Sequence, residues 1–290
     1  MHFAESFDEA GHEAHEPHIR MQQQIESAFA DHRYRSVGEG STGHVRIISK
    51  KDSGGETPWV VKTRIAEPPS HATTKRTFKT EWQMHQQAYT LITDAAEKAP
   101  GQFTRIPKPI GTLESATSHQ SILEYIEGET LFERALRFLL LRYAASEEDE
   151  QNIATGNREE LVNLAVSENY IDIFSSETQN DIRFALRQPS RTIPALTEEH
   201  FEEIVAAGGK RNNEIPLLSH KQHRQLERTI ALLHANTISH ADFHPSNIMM
   251  QKDGTMVIID FGLSRKVTTS THKTCREDLE YLQTYKKLSL

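Results

Sequence analysis

Residues 238–265 read ISHADFHPSNIMMQKDGTMVIIDFGLSR, and this stretch decides the fold of the chain. Two apolar runs, residues 248–250 and 256–259, lie on either side of Asp253-Gly254, a pair typical of a tight turn between antiparallel strands. The pattern predicts a β-hairpin. A hairpin returns the end of its second strand to the start of its first, so the residues at those two ends should lie side by side.

Three polar residues stand at those ends: Asp242, Asn247 five residues later, and Asp260 eighteen residues after Asp242. The oxygens of Asn247 and Asp260 are hard ligands that suit Mg²⁺ held together with phosphate groups. Asp242 stands apart from this pair and is placed to accept a proton from a hydroxyl group. Gly262 lets the backbone turn sharply after the second strand. The alternative is a surface hairpin whose carboxylates are solvated.

Composition limits the class of protein. The chain has 290 residues, a net charge of −8, 36% hydrophobic and 26% charged residues, which is typical of a soluble protein with a sizeable core. The negative charge argues against bulk attraction to nucleic acid or acidic membranes. The sequence shows neither a membrane-spanning run nor a signal pattern. A single cysteine, Cys275 in a polar context, excludes an internal disulfide and favours a reducing compartment, so we expect a cytoplasmic location.

The N-terminal segment changes character along its length. Residues 1–18 are polar and carry four histidines whose spacing fits no common zinc site, so a polar tail is predicted. Met21, Ile25 and Phe29 then recur at helical spacing and predict a leading helix.

A glycine-rich loop follows. Two predicted strands, residues 34–37 and 45–48, are joined by Gly38, Gly40 and Gly43 in a GxGxxG pattern. Because this loop lies between two strands and not between a strand and a helix, the pattern disfavours a dinucleotide-binding site. A glycine-rich hairpin can instead fold over phosphate groups with its backbone N–H groups.

A lysine and a glutamate come next, nineteen residues apart. Lys62 ends the apolar run of residues 59–61, where its amine needs an anionic partner. Glu81 lies on a helix predicted at residues 73–88, and an ion pair between the two would orient the amine. The alternatives are a lysine that reaches solvent at a strand end and a solvated glutamate.

The middle of the chain reads as a connector followed by helices. A short strand at residues 121–126 ends at Glu127-Gly128 and is typical of a link between two lobes, whose backbone could hydrogen-bond a nucleotide base. Apolar residues then recur at helical spacing. Helices are predicted at about residues 130–145, 158–174, 178–187 and 197–207, and in the segment that leads to residue 238.

Four features therefore occur in one order: the glycine-rich hairpin, the lysine with its glutamate, the connector, and HxDxxxxN followed by IDFG. With these motifs the sequence resembles the protein-kinase-like superfamily. The resemblance implies an α+β, bilobal fold, with an N-terminal antiparallel sheet lobe that has one main helix and a mostly helical C-terminal lobe. The expected regions are a tail and leading helix at 1–30, the N-lobe at 31–126, the C-lobe at 127–290, and a helical insert at about 135–218.

The resemblance also implies ATP and Mg²⁺ as cofactors and assigns roles to residues. Asp242 would be the catalytic base, while Asn247 and Asp260 would bind Mg²⁺. Lys62 would hold the α- and β-phosphates of ATP, oriented by Glu81. The residues expected to bind ATP are the loop glycines, the lysine and two connector residues that present backbone groups to adenine: Gly38, Gly40, Gly43, Lys62, Glu124 and Ile126.

The loop departs from that of typical protein kinases, which have Arg and Lys where Ala241 and His244 stand. HADFHPSN is closer to the HGDxHPxN loops of aminoglycoside-type phosphotransferases and UbiB-like kinases, whereas IDFG is protein-kinase-like. The 28 residues after Gly262 leave room for one helix at about 276–287, as in minimal kinases of the RIO and KEOPS type. We expect the insert at 135–218 to build the acceptor site in place of the missing C-terminal platform.

The sequence thus predicts an ATP-dependent phosphotransferase that acts with Mg²⁺ on a hydroxyl group, with Ser or Thr of a protein as the leading acceptor. A small-molecule kinase of the aminoglycoside or sugar class is one alternative, and an ATPase-type atypical kinase that acts with a partner is another. The expected partners are ATP and an unidentified protein or small-molecule acceptor, and not nucleic acid or a membrane.

Overall fold

The computed structural model describes residues 22–28, 30, 34–40, 43–48, 58–65, 78–114, 118–167, 170–186, 200–208 and 217–287. The predicted polar tail, the tip of the glycine-rich loop at residues 41–42 and residues 73–77 of the predicted helix lie outside the described residues. The chain divides into two compact units, residues 1–89 with 107–126 and residues 90–106 with 127–290. The lobe boundaries expected from the sequence stay a prediction.

A five-stranded antiparallel sheet forms the first unit. Along β3, Trp59, Val61 and Thr63 are buried while Val60 and Lys62 are half-buried, because alternate side chains of a strand point to opposite faces. The strands are β1 (Tyr34–Gly40), β2 (Gly43–Ile48), β3 (Trp59–Ile65), β4 (Pro109–Glu114) and β5 (Ser118–Glu124), in the spatial order β1-β2-β3-β5-β4.

One face of this sheet carries the core of the first unit. Helix α1 (residues 22–28) contributes Ile25 and Ala28, each 1% exposed, so the structure has the leading helix that the sequence predicts. The strand residues that pack with them are Ile48, Trp59, Val61, Leu113 and Ile122.

Two predicted boundaries in this unit are wrong. Lys62 is the fourth residue of the seven-residue β3 and does not end the strand. The strand continues because residues 62–65 pair with residues 118–121 of β5. Helix α2 (Phe78–Lys98) extends ten residues past its predicted end, and its buried Ile92 shows why: the apolar face continues into the part that belongs to the second unit.

The second unit is mostly helical. Its helices are α3 (Leu131–Tyr143), α4 (Glu147–Thr155), α5 (Arg158–Ala165), α6 (Ser176–Leu186), α7 (Phe201–Gly208), α8 (His220–Ala235) and α9 (Lys273–Lys287). α3 packs against α4, α5 and α7 and buries Leu136, Leu139 and Leu140. An antiparallel sheet unit followed by a mostly helical unit confirms the predicted fold class.

The helices between α3 and α8 differ in part from the predicted segments. α4 was missed because its first turn, residues 147–150, is entirely acidic and has no apolar period. The positive end of the helix dipole favours those charges, and the Ser146 side chain accepts from the Asp149 N–H at 3.1 Å. The segment predicted at 158–174 is an α-helix only as far as Ala165, with a 3₁₀ turn at Ile171–Ile173.

The hairpin predicted from the opening stretch is present. Strands β8 (Ile248–Met250) and β9 (Met256–Ile258) are antiparallel, with Ile248 opposite Ile258. The connection is five residues long, 251–255, and not a two-residue turn: the Gln251 N–H bonds the Thr255 carbonyl at 2.9 Å. Gly254 has φ +82°, a conformation that costs glycine little.

A third strand, β6 (Glu129–Thr130), pairs with β8 just before α3 begins. Gly128 precedes it, and a Cβ at this position would collide with the Met250 carbonyl, so the close approach requires glycine. Thr130 then caps α3 in a capping box with Glu133.

The last elements surround the loop that contains Asp242. β7 (Ile238–Ser239) pairs with β10 (Arg265–Lys266), and α8 and α9 both pack on β7. α9 is the predicted last helix. Cys275 within it is fully buried, beside the polar side chains of Ser239 and Asp278, and burial raises the pKa of the thiol. Within the described ranges, every helix is too short or too polar to cross a bilayer.

Candidate active site

The hairpin brings together the three residues on which the sequence analysis rests. The Ile259 N–H donates to the Asn247 carbonyl at 2.9 Å, which places Asp260 beside Asn247. The Asn247 amide Nδ2 donates to Asp242 Oδ2 at 3.0 Å and to the Asp242 carbonyl at 2.9 Å. Because its nitrogen is turned to Asp242, the amide oxygen is the atom of Asn247 left to act as a ligand.

His244 joins this group where typical protein kinases have a lysine. Its Nε2 lies 3.5 Å from Asp242 Oδ1 and 3.1 Å from Asn247 Nδ2. As a neutral imidazole it accepts from the amide, and as an imidazolium it pairs with the carboxylate. The side chains of His244 and Asp242 are 22% and 30% exposed, so a small acceptor group can reach the carboxylate.

The backbone at the site is strained in two places. Asp260 has φ 54° and ψ 75°, a left-handed conformation, and its Oδ1 accepts from the Gly262 N–H at 3.0 Å. Ala241 has φ 62°. A non-glycine residue in this region costs roughly 1 kcal/mol, so each conformation persists because the surrounding bonds fix it.

A buried carboxylate from α9 supplies those bonds on the side of Ala241. Asp278 is 1% exposed, and its Oδ1 accepts from the Ala241 N–H at 2.9 Å. Its Oδ2 accepts from the His240 N–H at 3.0 Å and from Ser239 Oγ at 2.9 Å, and lies 2.9 Å from His234 Nε2. One side chain therefore holds the backbone that leads into the loop.

Asp278 was missed in the sequence analysis, although the sequence carries a signal for it. Cys275, Leu282 and Tyr285 form the buried face of α9, and Asp278 lies at the same helical spacing. An acidic residue on an apolar helix face indicates a buried acceptor, because an unpaired buried carboxylate is strongly unfavourable.

Tyr285 of α9 contacts the loop at Phe243, and Phe201 of α7 packs against Tyr285. The Tyr285 hydroxyl, fully buried, donates to the Phe243 carbonyl at 2.9 Å. Its ring meets the Phe243 ring edge-on at 5.7 Å between centroids and the Phe201 ring of α7 at 6.2 Å. The insert is thus linked through α7 and α9 to the residue that follows Asp242.

His240 contacts the residue that follows β9, just before Asp260. Its Nε2 lies 3.0 Å from the Ile259 carbonyl, and its ring meets Phe261 edge-on at 4.7 Å. Burial lowers the pKa of His240, against the opposing charge of Asp278. Because a carbonyl oxygen can only accept, Nε2 carries a hydrogen and donates to the carbonyl that precedes Asp260.

In the first unit, the structure brings Lys62 and Glu81 together. Lys62 Nζ lies 3.0 Å from Glu81 Oε1, and their side chains are 21% and 12% exposed. Lys62 stands on the face of β3 opposite Val61, so its amine leaves the core and reaches the first turn of α2.

The other predicted ATP-binding residues occupy the hairpin and the end of β5. Gly38 pairs with Val45 and Gly40 with Gly43 across β1 and β2. The Glu124 N–H already donates to the Lys108 carbonyl at 3.0 Å, so the prediction for Glu124 concerns its carbonyl. Ile126 is 5% exposed. Their roles in binding ATP stay predictions.

Helix α5 places an arginine against the loop, which the sequence analysis did not single out. Arg158, the first residue of α5, donates from Nη1 to Ser246 Oγ at 3.0 Å. Its guanidinium lies 4.9 Å from the Phe132 ring centroid in α3, a cation–π geometry that fixes the arginine. Ser246 stands between His244 and Asn247, so this contact reaches the centre of the loop.

Comparison with known proteins finds kinases. The protein kinase domain family matches residues 199–284, a range that includes Asp242, Asn247, Asp260 and Asp278. The mitogen-activated protein kinase sma-5 of Caenorhabditis elegans is 39% identical over 75 residues, which is 25% of this chain and 15% of that protein. A probable serine/threonine-protein kinase CHK1 homolog of Encephalitozoon cuniculi (strain GB-M1) is 36% identical over 76 residues, 26% of this chain and 17% of that protein.

The match with these relatives spans about a sixth of their length. Among solved structures, the crystal structure of the BubR1 kinase domain is 14% identical, with a TM-score of 0.40, over 80% of this chain and 46% of that chain. Residues 199–284, which carry the loop, are thus similar to the protein kinase domain.

Proposed function

We propose that this chain transfers the γ-phosphate of ATP, with Mg²⁺, to the hydroxyl of a serine or threonine in a protein. The observation that carries the proposal is the convergence of Asp242, Asn247 and Asp260 through the hairpin, with a 3.0 Å bond between the first two. The match of residues 199–284 to the protein kinase domain supports it.

The donor set fits the cation. An amide oxygen and a carboxylate are hard ligands, and Mg²⁺ usually takes one or two such protein ligands while phosphate oxygens and water complete its shell. Asn247 and Asp260 would hold it. Within the described residues, no three His, Cys, Asp or Glu side chains cluster as a metal site of their own. When bound, Mg²⁺ neutralises phosphate charge that develops during transfer.

The chain's own residues have separate tasks. In the transfer, the acceptor oxygen forms a bond to the γ-phosphorus, the bond from that phosphorus to the β–γ bridging oxygen breaks, and ADP leaves. Asp242 takes the hydroxyl proton, a contribution of roughly 10²–10⁴ in rate. Asn247 orients Asp242 through the 3.0 Å bond to Oδ2, which leaves Oδ1 toward His244.

We propose that Lys62 binds the α- and β-phosphates. Glu81, whose Oε1 lies 3.0 Å from Lys62 Nζ, would orient the amine. Gly38, Gly40 and Gly43 would approach the phosphates with backbone N–H groups, because a residue without Cβ allows that approach. The carbonyl of Glu124 and the backbone of Ile126 would bind adenine.

The test is incubation with ATP and Mg²⁺, followed by mass measurement of the intact chain and by radiolabelled ATP with a protein mixture. We expect label on protein, and loss of label in Asp242→Asn and in Lys62→Ala. Asp172→Asn and Lys108→Ala, which change exposed residues of the same charge, should retain it. Undiminished transfer by Asp242→Asn would refute the proposal.

A small-molecule kinase is the second candidate, and His244 favours it. The HADFHPSN loop is of the type found in aminoglycoside phosphotransferases, and the structure places His244 3.5 Å from Asp242 Oδ1. Label on a small acceptor and none on protein would support this candidate. Release of free phosphate alone would instead favour an ATPase-type atypical kinase that acts with a partner.

The insert is proposed to recognise the acceptor, and Arg158 is the residue that supports this role. Its contact with Ser246 brings a permanent positive charge to the loop, at a residue two positions after His244. Arg158→Gln should raise KM for the acceptor about tenfold with KM for ATP unchanged, since one charged hydrogen bond is worth roughly 1.5–3 kcal/mol. Arg183→Gln, in the exposed part of α6, is the control.

A further inference from the structure

The first half of α8 carries a basic cavity away from the proposed active site. Its volume is about 270 Å³, and it is lined by Gly101, His220, Lys221, Arg224, Gln225 and Arg228. The three side chains of Lys221, Arg224 and Arg228 are permanent cations and are exposed. In a chain with a net charge of −8, such a concentration of positive charge on one surface is unusual and requires a reason.

The cations lie on one face of the helix. Arg224 and Arg228 are four residues apart, and Lys221 precedes Arg224 by three. Like charges at these spacings repel each other. The acid nearest in the helix, Glu227, is turned to His223, with 3.6 Å between Oε2 and Nδ1.

The position in the helix adds to the repulsion. The positive end of a helix dipole disfavours cations in the first turn, yet α8 begins with His220 and Lys221 and has no acidic residue there. Helices α2 to α7 each begin with an acidic first turn. An anion in the cavity would relieve both the mutual repulsion and the clash with the dipole.

Two hydrogen bonds give the cavity a fixed wall. Gln225 Nε2 donates to the Gly101 carbonyl at 2.8 Å, and Arg228 Nη1 donates to Gln102 Oε1 at 2.7 Å. These bonds hold the turn at residues 101–102 against the helix, while Lys221 and Arg224 line the open side. The surface is therefore a concave site built from two segments and not a loose row of lysines.

We propose that this cavity docks an acidic peptide segment of a partner protein. The cations span eight residues of helix, roughly 12 Å, which matches three or four residues of an extended peptide. A concave site of this length suits a peptide better than a membrane surface, and the overall charge of −8 disfavours a nucleic acid. Arg228 lies seven residues before the end of α8, roughly 10 Å along the helix axis, so the docking site ends before the loop that follows the C-terminus.

The test uses the full chain and a fluorescein-labelled peptide of alternating aspartate and serine, with an asparagine–serine peptide as its neutral counterpart. Fluorescence anisotropy should detect binding of the acidic peptide alone, weakening as salt rises. Lys221→Gln combined with Arg224→Gln should weaken binding at least tenfold. The matched control is Lys273→Gln with Arg276→Gln, which removes the same charge from an exposed part of α9 and should bind as the parent chain does.

Equal binding by the cavity variant and the parent chain would overturn the proposal, as would absence of binding by the parent. Binding of a single-stranded oligonucleotide or of phosphatidylserine vesicles in place of the peptide would also overturn it. Far-UV circular dichroism checks the fold of the variants. If the double variant unfolds, Arg224→Glu replaces it, and the proposal then requires that binding of the acidic peptide be weakened at least tenfold.

Discussion

The two units hold their proposed reactive groups in different ways. In the first unit, Lys62 is oriented by an ion pair to Glu81, with side chains 21% and 12% exposed. In the second unit, the backbone before Asp242 is held by Asp278, which is 1% exposed and pairs with four donor groups. The first arrangement positions one side chain, and the second shapes a whole loop.

The difference predicts how much stability each unit loses when one partner of its contacts is substituted. A partly buried ion pair that water can still reach contributes less to stability, because water solvates both partners when it breaks. A buried carboxylate that satisfies several donors is different: its removal leaves each donor without a partner in a low dielectric. Loss of Glu81 should therefore change mainly the orientation of the Lys62 amine, whereas loss of Asp278 should affect the fold and the loop together.

The largest effect is expected for Asp278→Ala. It leaves two backbone N–H groups, a serine hydroxyl and the His234 ring unpaired in the core, so the free energy of unfolding should fall by about 3–5 kcal/mol. Urea unfolding measures this. Glu277→Ala, which changes the exposed neighbour on α9, should stay within about 0.5 kcal/mol of the parent chain. Similar stability of the two variants would show that the Asp278 network does not support the loop.

Tyr285→Phe should have the next largest effect. It removes the donor to the Phe243 carbonyl and keeps the ring contacts, so we expect a loss of about 1–2 kcal/mol in unfolding free energy. Burial raises the pKa of Tyr285 well above its ordinary value, so the hydroxyl remains a donor at any working pH. In the proposed reaction kcat should fall with KM for ATP unchanged. Tyr281→Phe, at the exposed end of the same ring stack, is the control.

Glu81→Gln should change stability least among these substitutions, by about 1 kcal/mol or less. Its effect should appear in function: the amine loses its orienting charge, so transfer should slow while urea unfolding barely changes. Glu97→Gln, an exposed residue on the same helix, should change neither. A loss of stability as large as that of Asp278→Ala would remove the contrast between the two units.

The reactivity of the Cys275 thiol tests the comparison between the two units without a measurement of unfolding free energy. The thiol is fully buried one turn before Asp278, and burial raises its pKa, so less thiolate is present at a given pH. A disulfide reagent at pH 8 should react at least roughly tenfold more slowly with the folded chain than with the chain in urea. In Asp278→Ala the reaction should become faster, because α9 loses its tie to the loop. Rapid reaction of the folded parent chain would contradict the burial of this face.

Local pattern predicted much of this molecule. The glycine-rich hairpin, the helix that carries Glu81, and the β8–β9 hairpin follow from periodicity and from glycine positions, which act over a few residues. The ends of the helices and strands were harder to predict from the sequence. β3 continues through Lys62 because β5 pairs with it. α4 forms because a cap and the helix dipole offset its lack of an apolar face.

The sequence by itself determined the order of the chemical groups and the hairpin that joins Asn247 to Asp260, because each depends on residues near one another in the chain. It left the pairing of the strand lysine with the helix glutamate open, and the structure decided it. Tertiary structure alone decided that Asp278 and Tyr285 hold the loop and that Arg158 reaches Ser246. These contacts join residues 37 to 88 positions apart, and burial decides their strength. No local pattern states which buried donor an acidic residue on a distant helix will meet, since that depends on how α5, α8 and α9 pack.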